Sequence, residues 1–203
     1  MNLTIQEKAV SAINIKRGQT LTFAGGIGPV WRVTHGVFKL VRSEEAGVAL
    51  VQLAKAGDLI GVESLCHKAY QYTVQAIIDS TVEVHTVNHA LSDPTTLVQA
   101  FLQQQRQTYD MYRLRTGPIG QRLAYLITLL EFRLDGQVVP IQRTELPTLK
   151  DIASTIDSTV ETVCRDLNVL IPARPQAKVK AKKKLSSHWV QAGNFGSFQT
   201  AAA

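Results

Sequence analysis

The residues best placed to do chemistry are Val160, Glu161, Cys164, Arg165 and Asn168, inside the stretch LKDIASTIDSTVETVCRDLNVL from Leu149 to Leu170. Helical spacing puts them on one face, opposite an apolar stripe of Val163, Leu167 and Leu170. A mixed face of this kind suits the edges of DNA bases in a major groove, arginine donating to guanine and an acid accepting from a cytosine amino group. Leu149, Ile152, Ala153 and Ile156 form the stripe of a preceding short helix. Asp157-Ser158-Thr159 lies between the two and supplies turn and N-cap oxygens. Two helices too short to stand alone fit a helix-turn-helix. The alternative is an ordinary helical hairpin with a solvated outer face.

These elements need a scaffold, and composition allows one. The chain has 203 residues, 45% hydrophobic and 19% charged, which suits a globular protein with a core. No run of eighteen apolar residues marks a membrane span, and MNLTIQEKAV lacks the basic start and apolar block of a secretory signal. Cytoplasm is the expected location, with no membrane partner. Cys66 and Cys164 form no CxxC, which argues against a disulfide framework or structural zinc. The net charge of +6 comes from the C-terminal segment, where Arg174, Lys178, Lys180, Lys182, Lys183 and Lys184 occur without any acid. Next to a base-reading helix, Lys178 and Lys180 suit phosphate contact. A solvated tail is the alternative.

Residues from about 15 to 88 read as strands, in runs at Gly36–Arg42, Val48–Leu53, Tyr72–Ala76 and Val82–Val87. Breaks of Gly and Asp between short β-rich runs argue for an antiparallel sandwich or barrel. The pattern changes at Asp93-Pro94. Residues 95–115 contain no Gly or Pro and predict a helix of roughly 20 residues and about 30 Å. Leu97, Phe101, Thr108, Met111 and Tyr112 share a stripe on it. So narrow a seam suits packing on a second copy about a two-fold axis, the alternative being a helix lying on its own β domain. Thr116-Gly117-Pro118 ends that helix and forms a hinge, and Ile119–Phe132 is a further helix with Leu123, Leu126, Ile127 and Leu130 inward. Val138–Ile141 is expected as a small strand, and Thr148 as the cap of the next helix.

Thr159-Val160-Glu161-Thr162-Val163-Cys164-Arg165 resembles the recognition element of the cyclic-AMP receptor protein/FNR superfamily of bacterial transcription regulators. The glycine spacing at Gly36, Gly57 and Gly61 resembles its jelly-roll sensor, and Gly120-Gln121-Arg122-Leu123 the opening of its DNA-binding domain. The resemblance implies an α+β fold: an N-terminal double-stranded β-helix (a jelly roll of the cyclic-nucleotide-binding type), a long dimerisation helix, and a C-terminal winged helix-turn-helix. The corresponding spans are 1–90, 91–116 and 117–190, with a loose tail at 191–203. It further implies a homodimer on double-stranded DNA, RNA polymerase as a partner, and base contact by Val160, Glu161, Cys164 and Arg165. Cys164 replaces the family's serine, and Val160 stands where the cyclic-AMP branch has arginine, so FNR-like half-sites of TTGAT type are expected. Thr148, Lys150 and Ser158 join the expected DNA-binding set. The wing is loosely written: Ile171-Pro172-Ala173-Arg174-Pro175 interrupts, with Lys178-Val179-Lys180 and Ser187–Val190 as possible strands.

The resemblance also places an effector pocket at Glu63, Tyr70, Gln71 and Tyr72. Cyclic-nucleotide binders carry Gly-Glu and Arg-Ser pairs there. This chain has Val62 at the acidic position and Tyr70-Gln71 near the Arg-Ser position, so a buried phosphate would lack its guanidinium. The effector, if there is one, is a small molecule of unknown identity. The family's iron–sulfur cysteines lie mostly near the N-terminus and none precedes Cys66, so no cofactor is expected. Three rivals remain. One is a cupin-like metal enzyme using His35, His67 or His85. Another is a haem or redox sensor through Cys66-His67 or Cys164. The last is a relative whose DNA domain acts through protein contacts.

Overall fold

The computed structural model describes residues 12–45, 47–86 and 94–172. Eight strands come first: β1 (Ile13–Ile15), β2 (Thr20–Thr22), β3 (Trp31–His35), β4 (Val37–Glu44), β5 (Gly47–Lys55), β6 (Leu59–Ile60), β7 (Thr73–Ala76) and β8 (Ser80–Val84). They form two antiparallel four-stranded sheets, ordered β1-β8-β3-β6 and β2-β7-β4-β5. A 3-10 turn at Val62–Cys66 links β6 to β7. Four helices follow: α1 (Pro94–Arg115), α2 (Ile119–Glu131), α3 (Leu149–Thr155) and α4 (Val160–Leu170).

The long hairpin of β4 and β5 is the backbone of this architecture, paired from Val37↔Lys55 to Glu44↔Gly47. Val33, Phe38, Leu40, Ile60, Val74 and Val82 close the space between the sheets, with Val33, Phe38 and Val82 fully enclosed. Gly36 turns the corner from β3 to β4 at φ +87°, and a Cβ there would sit 2.7 Å from the Ser80 Cα. The corner therefore requires glycine. Where a small strand was expected at Val138–Ile141, only an isolated bridge, Phe132↔Val138, forms. Exposed Val138 and Val139 lack a sheet edge to extend.

Helix α1 is amphipathic in an inverted sense. Thr96, Gln107 and Asp110 are buried together with Met111 and Leu114. Leu97, Val98, Phe101, Leu102, Tyr109 and Tyr112 are all exposed. Polar pairing explains the buried face. The Gln103 side chain meets the Leu59 backbone twice, accepting from its N–H at 2.7 Å and donating to its carbonyl at 2.8 Å. Arg106 donates to Asp58 Oδ1 at 2.5 Å and to Asp110 Oδ2 at 3.0 Å. Tyr125 of α2 closes the chain by donating to Asp110 Oδ1 at 2.6 Å. Thus α1 lies by its polar face on the β region, as one of the two expected packings has it, while its apolar stripe stays exposed. Met111 belongs to the inner face, whereas Leu97, Phe101, Thr108 and Tyr112 stay on the outer stripe.

Beyond the hinge the cores do not separate. Val37, Leu53, Ile77 and Ile78 of the β region join Leu114, Leu123, Leu126, Leu130, Ile141 and Ile152 in a single apolar cluster. Gly117-Pro118 therefore divides α1 from α2 without dividing the core. Among the described residues no helix is long and apolar enough to cross a membrane.

Burial pushes the Asp58 carboxyl above its ordinary range, while Arg106 pulls it back toward the charged form. Removing the guanidinium by Arg106→Ala should cost about 3 kcal/mol in urea unfolding at neutral pH, the penalty for an unpaired buried charge. A raised carboxyl means that the folded state binds the extra proton, so stability falls as pH rises through the folded value. The variant's deficit is therefore expected to shrink in mildly acidic buffer, and a pH-independent deficit would contradict the pairing.

Candidate nucleic-acid interface

The α3–α4 pair forms the expected helix-turn-helix. Thr148 caps α3, its hydroxyl accepting from the Asp151 N–H at 3.1 Å. Thr159 caps α4 in the same way, accepting from the Thr162 N–H at 3.3 Å. Between them the Ser158 N–H returns to the Ala153 carbonyl at 2.9 Å and Asp157 takes φ 52°, the left-handed stop of a Schellman-type turn. Ile152, Ala153, Ile156, Val163 and Leu167 bury the inner faces. Leu170 departs from its expected place: at the last position of α4 it is exposed.

Outward, α4 presents Val160, Glu161, Arg165 and Asn168 exposed, with Cys164 half-buried among them. Among the described residues no ion pair holds Glu161 or Arg165, so both can reach a ligand. Lys150 is likewise exposed. Thr148 is exposed but already occupied, since its hydroxyl also donates to Asp151 Oδ2 at 2.7 Å. The Ser158 hydroxyl is buried without a partner. The wing, Lys178 and Lys180 lie outside the described residues.

Three residues that motif reading passed over hold this unit in place. Arg122 of α2 donates from Nη1 to the Ile156 carbonyl at 3.1 Å and the Asp157 carbonyl at 3.3 Å, and from Nε to the Gly117 carbonyl at 2.8 Å. It ties the helix-turn-helix bend to the hinge. Arg143 grips the other end of α4, donating to Asn168 Oδ1 at 2.6 Å and to the Ile171 carbonyl. A cation there also complements the negative helix end. Lys39 of β4 pairs with Asp151 at 2.6 Å, fastening α3 to the β region. Burial alone would raise the Asp151 carboxyl, but bonds from Lys39 and Thr148 hold it below its ordinary value. Only the signature Gly-Gln-Arg-Leu hinted at one of these three.

Glu63, Tyr70, Gln71 and Tyr72, the expected pocket residues, converge on a cavity of about 250 Å³ in the β region. Ala100, Gln103, Gln104 and Gln107 of α1 also line it, so the cavity touches the long helix directly. Tyr70 is mostly structural. Its hydroxyl donates to the Pro29 carbonyl at 2.6 Å, and its ring fills the space that Gly28 and Gly61 leave open. Glu63 accepts from the Gln71 N–H at 3.2 Å. Among the described residues no lysine, arginine or histidine lines the cavity, and its single charged group is the Glu63 carboxylate. An anionic phosphate would meet a like charge and no cation. Among the described residues no three His, Cys, Asp or Glu side chains converge, so the ligand set for a cupin-like metal site is not assembled there.

Solved structures share this arrangement. The CRP-family transcriptional regulator TTHB099 from Thermus thermophilus is 22% identical, with 78% of this chain and 83% of that chain covered at a TM-score of 0.56. The CRP/FNR-family regulator TTHA1359 from the same organism is 23% identical, covering 79% and 85% at 0.53. FixK2 from Bradyrhizobium japonicum is 19% identical, covering 79% and 84% at 0.54. No protein-family model and no curated protein matches the sequence. The chain therefore has the fold of the CRP/FNR regulators: antiparallel sheets in a sandwich-like β region, followed by helices.

With no cation in the cavity, isothermal calorimetry should detect no cyclic-AMP binding at micromolar strength. A micromolar or tighter constant would contradict a cavity that offers phosphate only a carboxylate.

Proposed function

We propose that this protein is a transcription regulator that binds double-stranded DNA as a homodimer, with α4 reading each half of an FNR-like inverted repeat. The observation that carries this reading is the free strip on α4. Val160, Glu161, Cys164 and Arg165 face outward on a helix capped by Thr159 and clamped by Arg122 and Arg143. A helix held this rigidly loses little further freedom on entering a groove. The CRP- and CRP/FNR-family transcriptional regulators that share its fold support the same reading.

The dimer follows from α1. Its outer stripe of Val98, Phe101, Leu102, Tyr109 and Tyr112 is an apolar ridge at near-heptad spacing, left exposed among the described residues. A second copy about a two-fold axis would cover it and set the two α4 helices about 34 Å apart, one turn of duplex. In this scheme residues 1–90 sense, 91–116 dimerise, 117–190 bind DNA and 191–203 trail. Lys150, Thr148 and Ser158 border the duplex, and Lys178 and Lys180 neutralise phosphates. The β-region cavity takes a small uncharged effector whose presence is felt by Gln103 and Gln107 on α1. RNA polymerase is the downstream partner, in the cytoplasm, with no membrane or resident cofactor involved.

Gel shifts with palindromes of TTGAT type should give a retarded complex that Arg165→Ala weakens by about 1–3 kcal/mol, with relaxed discrimination at one base pair per half-site. Equal binding to scrambled duplexes would remove the reading role of α4. Replacing Lys178 and Lys180 together should weaken all sequences alike and lower the salt slope by up to about 2 per protomer. An unchanged slope would make the tail a solvated appendage.

A further inference from the structure

A separate cavity of about 390 Å³ lies where the β region meets the segment joining α2 to α3. Lys16, Arg17, His35, Ile78 and Asp79 form one wall, and Arg133, Ile141, Thr144 and Glu145 form the other. Its charges are not equally available. Asp79 is satisfied by Lys16 Nζ at 2.9 Å and the Arg17 N–H at 2.9 Å. One Nη of Arg17 is engaged by the Leu146 carbonyl at 2.9 Å. Among the described residues the Arg133 guanidinium makes one long bond, 3.4 Å to the Leu130 carbonyl, which leaves most of its planar fork for the cavity. Glu145 keeps one oxygen on the Gln142 N–H at 2.9 Å, and among the described residues no bond engages the other.

From these we infer a second small-molecule site, in which Arg133 takes the anionic end of a small zwitterion, Glu145 takes its ammonium, and Ile78 and Ile141 flank the carbon skeleton. The α-amino acids are the simplest members of that class. Guanidinium forks match carboxylates in a bidentate manner, and a volume near the lower end of ordinary ligand pockets fits a molecule of that size. A simple anion is a poorer occupant, because Glu145 opposes it. A simple cation is opposed by Arg133, Arg17 and Lys16.

His35 supports the same geometry. Burial and the Arg133 charge keep its imidazole below its ordinary value, with Glu145 and a bond to the Asp79 backbone acting the other way. A neutral ring leaves the Arg133 fork as the main anchor and adds a neutral polar group beside it. Since one wall belongs to the β region and the other leads into α3, an occupant would tie the two together independently of the glutamine-lined cavity. This site does not rest on the DNA-binding reading.

The test is calorimetric titration of the full chain with each proteinogenic amino acid, alongside inorganic phosphate and ammonium chloride at matched ionic strength. At least one amino acid should bind saturably, while phosphate and ammonium alone should not. Arg133→Gln and Glu145→Gln should each weaken binding about tenfold or more, the loss of one charge-assisted bond. Thr144→Trp, which puts a bulky ring at an exposed lining position, should abolish it. Circular dichroism melting checks that each variant folds. No amino acid binding, phosphate binding as tightly, or binding unaffected by all three variants would overturn the proposal.

Discussion

The ion pair of Asp58 and Arg106, extended through Asp110 to Tyr125, is the constraint on which the rest of the molecule hangs. It links the β6 entry, α1 and α2 through three side-chain bonds in a largely buried setting. Burial first, and then the Asp110 bond, push the Tyr125 hydroxyl up to about 12, so it remains a donor across the physiological range. A chain of this kind is costly to bury and sensitive to orientation. It seats α1 by its polar face, and that choice leaves the apolar face outside.

From that seating the rest follows in order. The open ridge of α1 is the surface on which the proposed second copy would pack. The same helix lines the glutamine-rich cavity, so an occupant there would touch the helix that carries the proposed dimer seam. At its far end α1 turns at Gly117 into α2, whose Arg122 holds the bend between α3 and α4. The apolar core runs through these parts without a break, from Val37 and Ile78 of the β region to Val163 and Leu167 of α4. Lys39 and Arg17 reinforce this from the β side by bonding Asp151 and the Leu146 carbonyl.

Much of this was legible in the residues. Alternation named four of the eight strands, the Gly-free run named α1, and Thr148 and Thr159 were readable as caps because their hydroxyls stand at helix starts before free amides. The recognition strip was readable because its apolar counterpart, Val163 and Leu167, keeps strict helical spacing. What escaped the sequence has a common cause. β1, β2 and β6 are two or three residues long and exist through their partners, and β3, at five residues, likewise went unread and is held by pairing with β6 and β8. Met111 fell on the wrong face because α1 buries glutamine and aspartate, which periodicity counts as solvent-facing. Val138–Ile141 has β-branched residues but no neighbouring strand. Arg122 stood in the Gly-Gln-Arg-Leu motif without its grip on the α3–α4 bend being readable there. Arg143 and Lys39 act across long sequence separations on a backbone carbonyl, an amide oxygen and a distant carboxylate, and such contacts leave no local signature. The Arg133–Glu145 cavity is hidden for the same reason.

Two copies of this chain, joined along α1, would place two α4 helices on one duplex, and the proposed reading of an inverted repeat depends on that. Sedimentation velocity of the full chain, alone and with a single inverted-repeat duplex, tests it most directly. A dimer in the absence of DNA and a complex of two chains per duplex are the expected results. A monomer in solution, or a complex of one chain per duplex, would contradict it.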